Sequence, residues 1–187
     1  MHRPAASATP RSAAPLSEVT ISEDGEVRFL HLGTEWIQGS MLLDAPFDIE
    51  LDYVQRMMAW LLFVDPDSVP RRQALQLGLG SAALTKFCFK KLRMATTAIE
   101  INPQVVAVCR QWFKLPADSA RLRVLLADAG AEIRRAEHLG RFDAVQVDLY
   151  DHEAAAPVLD SPDFYADCRQ LLTDEGCLTV NLFGRDA

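Results

Sequence analysis

Hydrophobic and polar positions alternate near the start of the chain and recur at helical spacing further along. Residues 19–38 alternate in short runs that Asp24-Gly25 and Gly33-Thr34 interrupt. Asp-Gly pairs favour tight hairpin turns, so this segment predicts a small antiparallel β unit. Apolar residues then recur three and four positions apart between residues 49 and 63, which predicts one amphipathic helix. A loop at residues 65–70 separates this N-terminal unit from the rest of the chain.

From residue 73 onward, apolar strands alternate with helical segments. Short apolar runs predict strands at residues 73–77, 96–101, 122–126, 144–147 and 177–182. The predicted helices between them cover residues 81–91, 103–113 and 131–138, and a last one runs from Ser161-Pro162 to Glu175-Gly176. Repeated βα units with short connections predict an α/β fold whose sheet is doubly wound and mostly parallel.

The pattern divides the chain into three parts. Residues 1–17 are rich in Ala, Pro, Ser and Arg and lack an apolar core of signal-peptide length, so we expect a disordered tail. We expect residues 18–66 to form the β-hairpin unit with its helix and residues 67–187 to form one α/β domain. We expect this domain to lack the last strands of such folds; either the N-terminal unit or a partner subunit covers the sheet edge, or the chain is shortened.

Charge and cysteine usage narrow the classes of function. The net charge of −7 argues against a nucleic-acid surface, which would carry a basic stripe. The longest apolar runs are shorter than the roughly 18 residues of a membrane span. The four cysteines lack CxxC spacing, so neither a metal site nor a disulfide framework is predicted, and reduced thiols in a cytoplasmic protein are expected.

Two carboxylates, Asp148 and Asp151, follow the apolar run at residues 142–147. In an open α/β sheet, ligands bind just beyond the carboxyl ends of the strands. Two acids at that position can hold a cationic amine, and one of them can accept its proton. Tyr150 lies between them and is a candidate either for stacking on a ligand or for simple packing.

Glycines follow the first strand of the predicted parallel sheet, and an acid stands at the end of each of the next two strands. Gly78 and Gly80 allow a tight turn and a close approach of the backbone to a ligand. Glu100 stands 20 residues after Gly80 and can accept both hydroxyls of a ribose, and Asp128-Ala129 follows the third strand, where a carboxylate can accept the amine of adenine. Each has a structural alternative, as a turn or a helix cap. Together they predict an adenosine thioether or sulfonium nucleoside; a dinucleotide would call for a third glycine.

Taken in order, these segments resemble the spermidine synthase family of polyamine aminopropyltransferases. The resemblance rests on Trp36-Ile37-Gln38, residues 54–59, the glycine loop, residues 98–103, residues 127–129, residues 147–151, residues 161–165 and residues 171–176. It implies a Rossmann-like fold of the type found in class I S-adenosylmethionine-dependent methyltransferases.

The resemblance implies transfer of an aminopropyl group from decarboxylated S-adenosylmethionine, or use of S-adenosylmethionine itself, without a metal. The cofactor-binding residues that it implies are Gln38, Gly78, Gly80, Ser81, Glu100, Asp128 and Ala129. The implied substrate-binding residues are Asp151, Tyr150 and Gln55, and Asp148 would be the catalytic acid that engages the attacking amine. The acceptor would be a small polyamine-type amine such as putrescine, and a homodimer is expected because dimers are common in this family.

Several residues depart from the family pattern. Ser81 replaces an acid of the glycine loop, Asn102 replaces an Asp, and Val54 and Arg56 flank Gln55 where a Tyr and a Glu are usual. Three alternatives therefore stay open. They are an aminopropyltransferase, an S-adenosylmethionine-dependent methyltransferase favoured by the uncharged loop, and a non-catalytic nucleoside-binding or oligomerisation homologue.

Overall fold

The N-terminal strands form a small antiparallel sheet. The computed structural model describes residues 16–150, 159 and 161–182. Strands β1 (Val19–Asp24), β2 (Val27–Leu32) and β3 (Ile37–Leu42) pair in chain order, and Asp24 lies opposite Val27 across the turn at Gly25. The predicted β unit is confirmed, with its third strand shifted later in the sequence than expected.

The larger sheet is parallel and has five strands within the described residues. Its strands are β4 (Gln73–Leu77), β5 (Ala95–Glu100), β6 (Leu122–Leu126), β7 (Phe142–Val147) and β8 (Leu172–Val180). Their order is β6-β5-β4-β7-β8, so the direction of winding reverses between β4 and β7. The doubly wound α/β fold is confirmed, and such a reversal is the usual place for a ligand crevice.

Helices and the N-terminal sheet cover the two faces of the large sheet. The α-helices are α1 (Asp52–Arg56), α2 (Ala83–Lys86), α3 (Pro103–Trp112), α4 (Ala129–Glu132) and α5 (Pro162–Leu171). A π-helical turn, Phe87–Lys91, continues α2, and 3-10 turns occupy Ala59–Phe63, Pro66–Arg71 and Ala136–His138. Helices α4 and α5 pack on one face, and α2, α3 and the N-terminal unit pack on the other. Among the described residues, no helix is both long and apolar enough to cross a membrane.

The helix predicted over residues 49–63 is wrong in its extent. The chain instead forms the short α1, a turn, and the 3-10 turn Ala59–Phe63. This broken path buries Met57 and Trp60 against the sheet but leaves Leu62 and Phe63 exposed over 83% and 78% of their surface. Contact with the sheet therefore overrides the local helical period.

Two later helices also differ from the predicted ones. The segment predicted as a helix at residues 131–138 is split, and a hydrogen bond of 2.9 Å between Glu132 Oε1 and His138 Nε2 joins its two short pieces. Helix α5 ends at Leu171 and passes directly into β8, so Gly176 lies within a strand and does not end the helix. A Cβ at Gly176 would lie 2.8 Å from the carbonyl oxygen of Phe142, so this close approach requires glycine.

The N-terminal unit shares its core with the larger sheet. Leu30 and Met41 of the antiparallel sheet lie in the same buried cluster as Leu79, Val105 and Phe113. The antiparallel sheet therefore covers the start of the β4–α2 loop, which brings β3 beside the carboxyl end of β4.

Gly78 allows the β4–α2 loop to pass under the end of β7, and replacing it tests that contact. Its φ is +90°, and an added Cβ would lie 2.1 Å from the carbonyl oxygen of Asp148. Gly140 also has a positive φ, of +63°, but a Cβ there meets nothing within 4 Å. We expect Gly140→Ala to cost roughly 1–2 kcal/mol of unfolding free energy and Gly78→Ala to cost more. Urea denaturation of both variants measures this, and equal losses would contradict the close approach.

Candidate active site

A cavity of about 230 Å³ opens at the carboxyl ends of the central strands. Most of the residues proposed from the sequence line it: Gln38, Gly78, Gly80, Glu100, Asp128, Ala129, Asp148 and Tyr150. Ser81 and Gln55 do not line it, and Asp151 lies outside the described residues. The residues that follow the ends of β4, β5, β6 and β7 therefore lie around one cavity, as expected for ligand-binding residues at strand ends.

Glu100 is buried at the end of β5 beneath the glycine loop. Its Oε2 accepts the N–H of Leu79 at 3.0 Å, and its Oε1 accepts the N–H of Asn102 at 2.8 Å. Burial raises the pKa of Glu100, and the backbone hydrogen bonds from Asn102, Leu79 and Ile101 oppose that rise. The carboxyl group thus holds the loop in place and still faces the cavity.

Asp128 both caps a helix and lines the cavity. Its Oδ1 accepts the N–H of Ala131 at 2.8 Å, which is the helix-capping role considered as the structural alternative. Ala129 is buried directly after it, at the start of α4. The capping bond fixes the orientation of Asp128 at the rim of the cavity.

Asp148 lies two strands away from Glu100, at the end of β7. Its N–H donates to the carbonyl of Leu77 at 2.9 Å, and its Oδ1 accepts the side-chain N–H of Asn181 at 2.9 Å. Burial raises the pKa of Asp148, and the hydrogen bond from Asn181 limits the increase. The hydroxyl of Tyr150 donates to the carbonyl of Asn181 at 3.1 Å, so Asn181 holds both residues.

Tyr53 is a lining residue that the sequence analysis missed. It lies in α1 and faces the cavity. Burial, and then the nearby charges of Asp148 and Tyr150, raise the pKa of Tyr53 above its usual range, so its phenol is neutral near physiological pH. An aromatic residue at the start of a predicted helix was the available signal, but nothing local indicated which way it points.

Asn181 was missed for a different reason. The predicted fifth strand ran to residue 182, whereas β8 ends at Val180. Asn181 is therefore the first residue beyond that strand, the same position at which the other site residues were found. A strand boundary drawn two residues earlier would have identified it.

Three residues near the site point elsewhere. Ser81, which the sequence predicts to contact the cofactor, is buried outside the cavity lining, and its hydroxyl donates to the carbonyl of Ser40 at 2.9 Å. The side-chain amide of Gln55 donates to the carbonyl of Ile49 at 2.9 Å, and Gln55 is exposed outside the cavity lining. Arg56 is also exposed and does not line the cavity, so its charge does not face an amine there.

One group of side chains in the described part of the chain has metal-ligand spacing. Glu132, Glu137 and His138 place their ligand atoms within 4.8 Å of one another, away from the cavity lining. Arg135 forms ion pairs with both glutamates, at 3.6 Å and 3.3 Å. Nε2 of His138 lies 2.9 Å from Oε1 of Glu132, so these side chains form a network of ion pairs and hydrogen bonds with one another.

Carboxyl groups follow β5, β6 and β7 and surround one crevice at the reversal of strand order. Apolar side chains, among them Leu79, Val105 and Leu149, complete its walls. Such a site can hold a flat base between apolar walls and direct acids toward hydroxyls and a cation. The fold and site thus define a doubly wound α/β protein with an acid-lined crevice where its strand order reverses.

Comparison with known proteins gives the family. Residues 76–181 match the Spermine/spermidine synthase domain family. The chain is 37% identical over 185 residues to the polyamine aminopropyltransferase of Chromobacterium violaceum, covering 98% of this chain and 66% of that protein. It is 36% identical over 170 residues to the polyamine aminopropyltransferase of Neisseria meningitidis serogroup A, covering 90% and 63%. The chain therefore belongs to the spermine/spermidine synthase domain family, and it spans about two thirds of the length of these relatives.

A solved structure supports the fold independently. A probable spermidine synthase from Corynebacterium glutamicum superposes with a TM-score of 0.72 at 16% identity, covering 92% of this chain and 64% of that one. At this identity the likeness concerns the fold alone.

The raised pKa of Asp148 predicts an effect on stability. The ordinary pKa of this carboxyl group is 3.8, and its pKa in the folded chain is higher. Its contribution to the free energy of unfolding is therefore complete below pH 3.8 and is lost as the pH rises through the folded-state pKa. We therefore expect Asp148→Asn to stabilise the fold at pH 7 by about 1 kcal/mol, or roughly 2–4 °C in Tm. The gain should shrink as the pH falls toward 4. Thermal unfolding across pH checks this, and a loss of stability at pH 7 would contradict it.

Proposed function

We propose that this chain transfers an aminopropyl group from decarboxylated S-adenosylmethionine to a small diamine such as putrescine. The observation that carries the proposal is the position of Asp148. It is a sheltered carboxyl group with a raised pKa, and it faces the same cavity as Glu100 and Asp128. The family's polyamine aminopropyltransferases support the same reaction class.

The nucleoside would occupy the half of the cavity beside β5 and β6. The two oxygens of Glu100 accept N–H groups of Leu79 and Asn102, and a carboxylate offers about four lone-pair sites, so it can also accept a ribose hydroxyl. Asp128 can accept the amine of adenine while Leu79, Ile101 and Val105 contact the base. In this pose the sulfonium would lie toward β7.

The amine would occupy the half of the cavity beside Asp148. A free alkylamine is protonated near neutral pH, so its lone pair is blocked until a base takes the proton. Asp148 orients the ammonium and accepts that proton while the nitrogen bonds to the propyl carbon. The carbon–sulfur bond breaks, sulfur keeps the electron pair, and methylthioadenosine leaves. Tyr53 and Tyr150 offer ring faces that a cationic ligand can approach.

Methyl transfer is a second candidate, favoured by the orientation of Ser81. Because Ser81 is turned to Ser40 and the glycine loop carries no acid, this loop does not repel the carboxylate of unmodified S-adenosylmethionine. Assays with both cofactors and a panel of amines separate the two reactions. Absence of transfer with either cofactor would leave the non-catalytic alternative.

The proposed assembly is a homodimer, by the resemblance to the family. Sedimentation of the purified chain tests it directly, and a monomer at assay concentrations that still turns over would contradict a need for the dimer.

Replacing Glu100 should weaken nucleoside binding. Glu100→Gln removes the charge that hydrogen bonds to a ribose would use, and such charged hydrogen bonds are worth about 1.5–3 kcal/mol. We expect roughly a tenfold to hundredfold increase in the Kd of methylthioadenosine, measured by calorimetric titration. Glu175→Gln, an exposed substitution on β8, is the matched control and should leave the Kd unchanged. Equal Kd values for Glu100→Gln and the unmodified chain would contradict the proposal that Glu100 binds the ribose.

Replacing Asp148 should separate binding from turnover. Asp148→Asn keeps the acceptor atom for Asn181 but removes the base, so kcat should fall by about 10²–10⁴. The Kd of methylthioadenosine should change by less than about threefold because the nucleoside half is intact. Initial rates with decarboxylated S-adenosylmethionine and putrescine measure the loss, and retained turnover would show that another group takes the proton.

A further inference from the structure

Two glutamines pair in the centre of the parallel sheet. Gln76 of β4 and Gln146 of β7 lie opposite each other in register and are 1% and 0% exposed. The side-chain amide of Gln76 donates to Oε1 of Gln146 at 2.9 Å. Strands buried on both faces usually carry apolar residues, because a buried amide is costly unless it is hydrogen-bonded. The pair therefore needs partners, and these connect it to the site.

Gln146 reaches the end of helix α1. Its Nε2 donates to the carbonyl of Met57 at 3.3 Å and to the sulfur of Met58 at 3.1 Å. Met57 caps the C-terminus of α1, where carbonyl groups lack partners within the helix. The N–H of Met57 in turn donates to the carbonyl of Tyr53 at 3.1 Å. Gln146 is thus bonded to Met57, and Met57 is bonded through its backbone to Tyr53, which faces the cavity.

The other members of the network hold the Gln146 amide in one orientation. Its Oε1 accepts from Gln76 and, at 3.5 Å, from the thiol of Cys88. Oε1 of Gln76 accepts the hydroxyl of Thr85 at 3.4 Å. With its oxygen facing two donors, Gln146 directs its N–H groups toward α1.

We propose that Gln146 is a positioning residue that sets the distance between Tyr53 and Asp148 across the cavity. Asp148 follows Gln146 by two positions, and side chains two apart in a strand share a face. The positions of Asp148 and Tyr53, on the two sides of the amine half, therefore both depend on β7. Asp148 is attached through the backbone, and Tyr53 is held through Gln146. A helix of five residues does not hold itself in place, so an anchor to the sheet is needed. The assignment to amine binding rests on the proposed function.

The test compares two substitutions that each remove one glutamine of the pair. Gln146→Met and Gln76→Met both replace a buried amide by an apolar side chain of similar length, but only Gln146→Met removes the hydrogen bond to Met57. The chain has three tyrosines, so the 3-fluorotyrosine-labelled protein gives a simple ¹⁹F spectrum in which Tyr53→Phe assigns Tyr53. We expect Gln146→Met to move the Tyr53 resonance toward the position of a solvent-exposed fluorotyrosine. Gln76→Met leaves the thiol of Cys88 as a donor to Oε1 of Gln146, so it should move the resonance much less.

Kinetics then connect the position of Tyr53 to the reaction. Gln146→Met should raise the KM of the amine by up to about tenfold, the limit reached if the free energy of one hydrogen bond is lost entirely from amine binding. The Kd of methylthioadenosine should change by less than about twofold, because Glu100 and Asp128 lie on other strands. If both variants lose similar stability and neither moves the Tyr53 resonance, the pair is only structural and the proposal is overturned.

Two further outcomes keep the inference separate from the proposed function. A shifted Tyr53 resonance in a protein that transfers no aminopropyl group would support the positioning role and overturn the proposed reaction. If Gln146→Met does not fold, Gln146→Glu retains the length of the side chain. At pH values where that carboxyl is ionised it offers no donor, and an unmoved Tyr53 resonance there would overturn the proposal.

Discussion

The parallel pairing of β4 with β7 is the contact on which the rest of the site depends. These strands are distant in the sequence, and a hydrogen bond from the N–H of Asp148 to the carbonyl of Leu77 continues their pairing past the end of β7. Gly78 lets the glycine loop pass under the carbonyl of Asp148, which no side chain at that position would permit. The pairing therefore places the glycine loop and the catalytic candidate in one crevice. The hydrophobic clusters on both faces of the sheet include residues of this pair of strands.

The crevice beside β4 and β7 contains two buried carboxyl groups, and their burial has an electrostatic cost. Glu100 and Asp148 both have a raised pKa because they are sheltered from water. Backbone N–H groups offset part of this cost for Glu100, and Asn181 does so for Asp148. A group that costs stability in the folded chain fits a site kept for binding or catalysis, where a cationic ligand would supply the missing partner.

The half of the cavity beside Asp148, where we propose that the amine binds, differs in composition from what the departures from the family pattern suggested. Arg56 is exposed, so it adds no repulsion, and Tyr53 supplies a neutral aromatic surface near Asp148. This half of the cavity therefore has fewer acids than the family pattern implies, and it is lined by the aromatic residues Tyr53 and Tyr150. The buried glutamines then explain how so short a helix can present Tyr53 with a defined geometry.

Local patterns in the sequence were sufficient for the strands, the hairpin turn, the possible cap at Asp128 and about half of the cavity lining. Apolar runs and strand ends are properties of neighbouring residues, so they can be read along the chain. The broken path after α1, the direction of Ser81 and the inward position of Tyr53 depend on contacts with Gln146 and Ser40 from distant segments. No local period carries that information, because the partner atoms become neighbours only when β3, β4 and β7 have assembled. The sequence by itself thus determined the fold and which strand ends carry the candidate residues, and the tertiary structure decided which side chains face the cavity.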